Sequence, residues 1–113
     1  MTLPNYASEL ESELAHGIRR LAAEEGIRRM EARIAGLSSE LLVARENLRT
    51  ARAGDPNAVN SKAVAAHQRA GFPPMTNKQD AAYFSAFIVM LQAHLREARQ
   101  RLADYQAMRA NRN

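Results

Sequence analysis

The chain has 113 residues, a formal net charge of +4, and neither cysteine nor tryptophan. The absence of cysteine excludes disulfide bonds, thiolate nucleophiles and cysteine-ligated zinc. Much of the sequence is Ala, Arg and Glu, with only 5 glycines, and this is the usual composition of long helices. We therefore expect an all-α fold, a helical hairpin or coiled-coil-like bundle in a single helical domain spanning residues 1–113.

No apolar run approaches the roughly 18 residues that a membrane span requires. No positively charged start leads into the apolar core of a signal peptide. We expect a chain without a membrane span or a recognisable signal peptide, located in the cytoplasm or packaged within a particle.

A long first helix is predicted from about residue 6 to 53. Ser8 and Glu11 follow Pro4 with the spacing of a capping box, which indicates where the helix begins. The Gly-Asp-Pro sequence at 54–56 ends it, since glycine and proline both interrupt helices.

The second half of this helix carries a regular apolar seam. Its members alternate three and four residues apart: Ile27, Met30, Ile34, Leu37, Leu41, Ala44, Leu48 and Ala51. Only a heptad period keeps one seam facing a partner along supercoiled helices, so the pattern predicts coiled-coil packing. Because Ala44 and Ala51 are small, a bulky residue or a closely packed neighbour should lie opposite them.

An earlier apolar stripe is out of phase with this seam. It consists of Leu10, Leu14, Ile18 and Leu21. Two acid-to-base pairs one turn apart, Glu24 with Arg28 and Glu25 with Arg29, favour one helix that continues through Gly26, with a bend there. The stripe should project beyond the reach of a shorter second helix and need burial against another molecule.

A polar linker is predicted at residues 54–76. Within it, residues 61–70 could form a short helix that Gly71 ends in a left-handed conformation. Its expected role is to reverse the chain.

The last helix is predicted from about residue 77 to 109, after a capping box formed by Thr76 and Gln79. It carries a second heptad seam: Phe84, Ile88, Leu91, Leu95, Ala98, Leu102 and Tyr105. The two helices could fold back into an antiparallel hairpin or diverge into different neighbours.

Residues 81–91 hold one clearly polar side chain, Ser85, so this part of the last helix is apolar on all sides. Such a helix must be enclosed by several neighbours. Either it packs within a small bundle of this chain, or Tyr83, Phe87 and Met90 contact another chain.

The last turns are basic, with Arg96, Arg99 and Arg101 as candidate contacts for phosphate or for an acidic partner. The competing interpretation is a solvated face, because arginines near a helix C-terminus are favoured by the macrodipole and Glu97 can pair with Arg101.

No catalytic, cofactor-binding or metal-ligating residues are predicted. The three histidines, at 16, 67 and 94, are isolated, and the sequence has no HExxH motif and no glycine-rich phosphate loop. We therefore do not expect an enzyme.

These observations favour a structural or adaptor protein that associates with itself or docks on a larger protein assembly through its heptad helices. A subunit of a virion, a connector or a secretion assembly would fit this description. One alternative is a nucleic-acid-binding accessory protein that uses the basic last helix. A second alternative is a small helical inhibitor of another protein.

Overall fold

The structure, a computed structural model, describes residues 6–59, 71 and 75–111 and consists there of two long α-helices. Helix α1 spans Tyr6–Ala53 and helix α2 spans Asn77–Ala110. The described residues contain no strand, and the only extended pairing among them is an isolated antiparallel bridge between Val59 and Thr76. The predicted all-α class and the helix bounds are confirmed, whereas the predicted helix at 61–70 lies outside the described residues.

Helix α1 continues through Gly26 without interruption. The expected ion pair between Glu25 and Arg29 is present at 3.1 Å, but Arg28 also pairs with Glu25, at 2.8 Å. The predicted pair of Glu24 with Arg28 is therefore wrong. Arg28 lies three residues after Glu25 and four after Glu24, and both spacings bring side chains together on a helix.

The N-terminal part of α1 departs from one detail of the sequence prediction. The helix is already formed at Tyr6, so Ser8 lies inside it. The capping box predicted for Ser8 and Glu11 is wrong, because a capping residue must stand outside the first helical turn.

The start of α2 has the predicted capping box. The backbone N–H of Gln79 donates to Thr76 Oγ1 at 3.3 Å, and the backbone N–H of Thr76 donates to Gln79 Oε1 at 3.0 Å. Two backbone donors that the helix itself leaves unpaired are thereby satisfied, and α2 begins at Asn77.

Hydrogen bonds hold the end of α1 beside the start of α2. The backbone N–H of Asn77 donates to Ala58 O at 2.9 Å, and that of Lys78 donates to Pro56 O at 3.1 Å. The side-chain amide of Asn77 donates to Asp55 O at 2.9 Å, and Asn77 is buried. Farther along the linker, Gly71 has φ +76°, the left-handed conformation predicted for it.

The chain forms two compact units, each built from one segment of each helix. The terminal unit comprises Met1–Ala35 and Arg96–Asn113, and the middle unit comprises Gly36–Leu95.

Within the terminal unit the two helix segments run antiparallel. Gly26 lies beside Tyr105, whereas His16, earlier in α1, lies near Met108, later in α2. The seam residues of this unit are buried or half-buried: Ile27, Met30, Ile34, Ala98, Leu102 and Tyr105.

The middle unit has the same antiparallel arrangement. Asn77 binds the backbone at Asp55, and Phe87 lies beside Ala44 in a shallow depression. The sequence predicts a bulky residue or a closely packed neighbour opposite Ala44, and Phe87 of α2 lies near it. The seam residues of this unit are also buried or half-buried: Leu37, Leu41, Ala44, Leu48, Ala51, Phe84, Ile88, Leu91 and Leu95.

Candidate functional site

The face of α1 that meets α2 in the terminal unit is fixed by a close approach at Gly26. A Cβ atom added to this glycine would lie 2.5 Å from Cε1 of Tyr105 and 2.6 Å from Cδ1 and Cζ of the same ring. The ring therefore packs directly on the α1 backbone. Ala23 and Met30 share this face of the helix, since they lie three and four residues from Gly26. Ile27 lies between them on the same side, four residues after Ala23 and three before Met30.

The apolar stripe of Leu10, Leu14, Ile18 and Leu21, which we name the outer stripe, lies on the opposite face of α1. Leu14 precedes Ala23 by nine residues, and Ile18 precedes Ile27 by nine, which is two and a half turns at about 3.6 residues per turn. Leu14 is 65% exposed and Ala23 0%, while Ile18 is 57% exposed and Ile27 5%. Leu10 and Leu21 are exposed as well.

The exposure of the outer stripe has a cause beyond the one predicted. The sequence prediction attributed it to the shorter length of the last helix. In the structure, the end of α2 reaches α1 at His16, Arg19 and Arg20, which share a cleft with Met108 and Asn111. Ile18 and Leu21 lie at this level of α1, so their exposure follows from their phase, which turns them away from α2.

Charged side chains flank the outer stripe. Glu13 and Arg20 lie along one of its edges, and both are exposed. Neither makes an ion pair with another described residue. Beyond the stripe, hydrogen bonds from Arg28 and then Arg29 hold the pKa of Glu25 below its ordinary value.

A basic cleft of about 170 Å³ lies between the two helix segments of the terminal unit. Its lining residues are His16, Arg19, Arg20, Met108, Arg109 and Asn111. None of these six carries a carboxylate side chain, although Arg19 Nε donates to the carbonyl oxygen of Ala15 at 3.3 Å. An anion in this cleft would meet cationic groups from both helices. The sequence analysis did not find this grouping, because His16 and Arg109 are far apart along the chain.

The arginines predicted to contact phosphate lie elsewhere on α2. Arg96, Arg99 and Arg101 are all exposed, and none of them lines the basic cleft. Arg101 pairs with Glu97 at 2.9 Å, as its spacing predicted. That ion pair occupies part of its hydrogen-bonding capacity.

The predicted partner-contact residues of the middle unit form an aromatic cluster along α2. The rings of Tyr83 and Phe87 are stacked with centroids 6.0 Å apart, and Tyr83 also meets Phe84 edge-on at 5.3 Å. Tyr83 and Met90 are exposed, whereas Phe87 is half-buried. Phe87 lines a shallow depression of about 270 Å³ together with α1 side chains that include Val43.

A buried carboxylate in the middle unit was missed by the sequence analysis. Asp80 is 1% exposed, and its Oδ2 accepts no hydrogen bond within the part of the chain that the structure describes. Its position in the first turn of α2 gave no sign of burial, since acidic residues are common there for their interaction with the helix dipole.

Residues 6–59, 71 and 75–111 contain neither a candidate membrane span nor a candidate metal site. None of the helices there is long and apolar enough to span a membrane. These residues also contain no group of three or more His, Asp or Glu side chains that could hold a metal ion.

The chain matches no protein-family model, no curated protein and no solved structure.

Proposed function

We propose that this chain is a non-enzymatic structural or adaptor protein that associates with copies of itself, or docks on a larger protein assembly, through the outer stripe. The observation that carries the proposal is the exposure of four large apolar side chains on consecutive turns of one helix face. Single exposed apolar residues are common on protein surfaces, but a contiguous row of them marks an interaction site.

The heptad seams have a different role in this proposal. Their residues form the buried face of each compact unit, so they are already occupied within one chain. Association of folded chains then requires another surface. The outer stripe supplies one, because it lies half a helix circumference away from the seam.

The proposal is tested by size-exclusion chromatography with light scattering. We expect the unaltered chain to be larger than a monomer and the double variant Leu14→Ser, Ile18→Ser to be a monomer. Both side chains are exposed in the single chain, so the helical circular dichroism of the variant should be unchanged. A matched control is Leu42→Ser, which removes an equally exposed leucine of the middle unit.

A monomeric wild-type chain at all accessible concentrations would contradict self-association. Docking on a larger partner would then be the remaining form of the proposal. Its test is whether the same double variant, but not the Leu42→Ser control, loses that partner.

Phosphate binding by the basic cleft is the second candidate function. It is supported by the convergence of His16, Arg19, Arg20 and Arg109 around one space. If the ligand is a nucleic acid, its affinity should fall steeply with added salt, because bound phosphates release counterions. Arg109→Glu should weaken that binding, and affinity that resists both salt and substitution would refute this candidate.

A further inference from the structure

We propose that the outer stripe pairs with the outer stripe of a second copy in an antiparallel, two-fold symmetric contact. Leu10 of one copy lies opposite Leu21 of the other, and Glu13 faces Arg20. This inference rests on the proposed self-association and adds to it the occupant, the direction and the register.

The spacing of the stripe sets the register. Three residues of the stripe form a heptad seam with Gly17, which stands next to Ile18: Leu10, Leu14, Gly17 and Leu21 are separated by four, three and four residues. An antiparallel pairing that places Leu10 opposite Leu21 also places Leu14 opposite Gly17.

Gly17 favours this direction over the parallel one. A Cβ on Gly17 would meet nothing within 4 Å, so the space above it is open in the single chain. Antiparallel pairing fills that space with Leu14 of the second copy. Parallel pairing would bring the two glycines together and leave a gap, which protein interfaces disfavour because their cores pack as densely as protein interiors.

The flanking charges favour the same direction. Glu13 and Arg20 are seven residues apart and therefore occupy equivalent positions beside the seam. In an antiparallel pair such positions face one another, so Glu13 meets Arg20 of the second copy twice in each dimer. In a parallel pair Arg20 would instead face Glu25, which is already engaged by two arginines.

The charge order along the segment identifies a second copy as the partner. An interface with two-fold symmetry uses the same patch on both chains, so the patch must be complementary to itself. Beside the seam, the first half of the segment carries Glu11 and Glu13, both exposed, and the second half carries Arg20. Antiparallel pairing brings these oppositely charged halves together, so the patch is complementary to itself.

Charge exchange tests the pairing. We expect Glu13→Arg and Arg20→Glu, each alone, to weaken self-association by on the order of tenfold at low ionic strength, because each places two pairs of like charges in contact. The double variant Glu13→Arg, Arg20→Glu should restore association to near the wild-type value. An equimolar mixture of the two single variants should also associate better than either alone. In the mixed dimer, each contact between positions 13 and 20 joins an acidic side chain of one variant to a basic side chain of the other.

Two controls have the same change in net charge outside the stripe. Glu31→Arg matches Glu13→Arg, and Arg45→Glu matches Arg20→Glu, and both sites are exposed. Neither control should change the dissociation constant measured by sedimentation equilibrium. Loss of helicity in any variant would be visible in its circular dichroism.

The outcomes separate this inference from the function on which it rests. A wild-type chain that never associates overturns both self-association and the pairing. If the chain associates and the Leu14→Ser, Ile18→Ser variant does not, but charge exchange brings no rescue, the stripe is an interface and the antiparallel register is wrong. Rescue in both the double variant and the mixture is the result that supports the register.

Discussion

Substitution of Gly26 by alanine should destabilise the fold, although the same change in most helices is stabilising. Alanine is favoured over glycine inside a helix by about 0.5–1 kcal/mol, because glycine loses more backbone entropy on folding. At Gly26, however, the new Cβ atom would lie 2.5 Å from Cε1 of Tyr105. Carbon atoms in contact prefer separations of about 3.5–4.0 Å, so the ring must move away from α1.

The magnitude follows from the balance of these two effects. Forcing extra volume into a packed site costs about 1–3 kcal/mol. Subtraction of the gain in helix propensity leaves a net loss of about 0–2.5 kcal/mol for Gly26→Ala. Gly36→Ala is the matched control, because a Cβ at Gly36 would meet nothing within 4 Å. The control should raise the free energy of unfolding by about 0.5–1 kcal/mol.

Urea unfolding followed by circular dichroism measures both values. All samples must have one protein concentration, since self-association would change the apparent stability. A second comparison uses Tyr105→Ala as the background. Without the ring, Gly26→Ala should become stabilising, as at Gly36. If Gly26→Ala stabilises the chain with Tyr105 present, the close approach of these two residues is refuted.

Three further outcomes follow from individual contacts. Thr76→Ala should lower the free energy of unfolding by about 1 kcal/mol through loss of the cap on α2, and no change in urea unfolding would contradict that role. Asp80→Ala should raise it by about 1 kcal/mol in the same assay, because alanine leaves no unsatisfied polar atom at this buried site. The unsatisfied buried oxygen costs about 1–3 kcal/mol, whereas the helix dipole gains about 0.3–1 kcal/mol from the carboxylate. A destabilised variant would show that the oxygen costs less than the dipole gains. The pKa of Glu25, measured by NMR titration, should lie below its ordinary value and should rise in Arg28→Ala. The stability from this contact is therefore present at neutral pH and is lost as the pH falls through the lowered pKa. An unchanged pKa in the variant would refute the ion pair.

The features that could be predicted from the sequence are those set by neighbouring residues. Heptad spacing identifies the residues that form the buried face, and Thr76 with Gln79 identifies the start of α2. Each of these signals lies within a few turns of chain. Local spacing therefore suffices for the helices and their buried faces.

The features that could not be predicted depend on contacts between distant residues. Gly26 could equally have marked a bend, and only the position of Tyr105 shows that it accommodates an aromatic ring. The burial of Asp80 likewise depends on what surrounds the first turn of α2, which local spacing does not specify.

The face of α1 on which the outer stripe lies could be predicted from the sequence only in part. The sequence shows that Leu10 to Leu21 is out of phase with the later seam. Its orientation relative to α2 becomes clear only once Gly26 and Tyr105 are known to be in contact, because this contact fixes which side of α1 faces inward. Glu13 and Arg20 are then seen to flank an exposed stripe, where they can contact a second copy.

Association through the outer stripe can be observed directly by an isotope-filtered NOE experiment on an equal mixture of ¹³C-labelled and unlabelled chains at a concentration where they associate. Pairing through the outer stripe predicts intermolecular cross-peaks to the methyl groups of Leu10, Leu14, Ile18 and Leu21. It predicts none to Leu91, which is buried in the middle unit of its own chain. Intermolecular cross-peaks from Leu91, with none from the outer stripe, would contradict the claim that the seam is satisfied within one chain while the stripe binds a second.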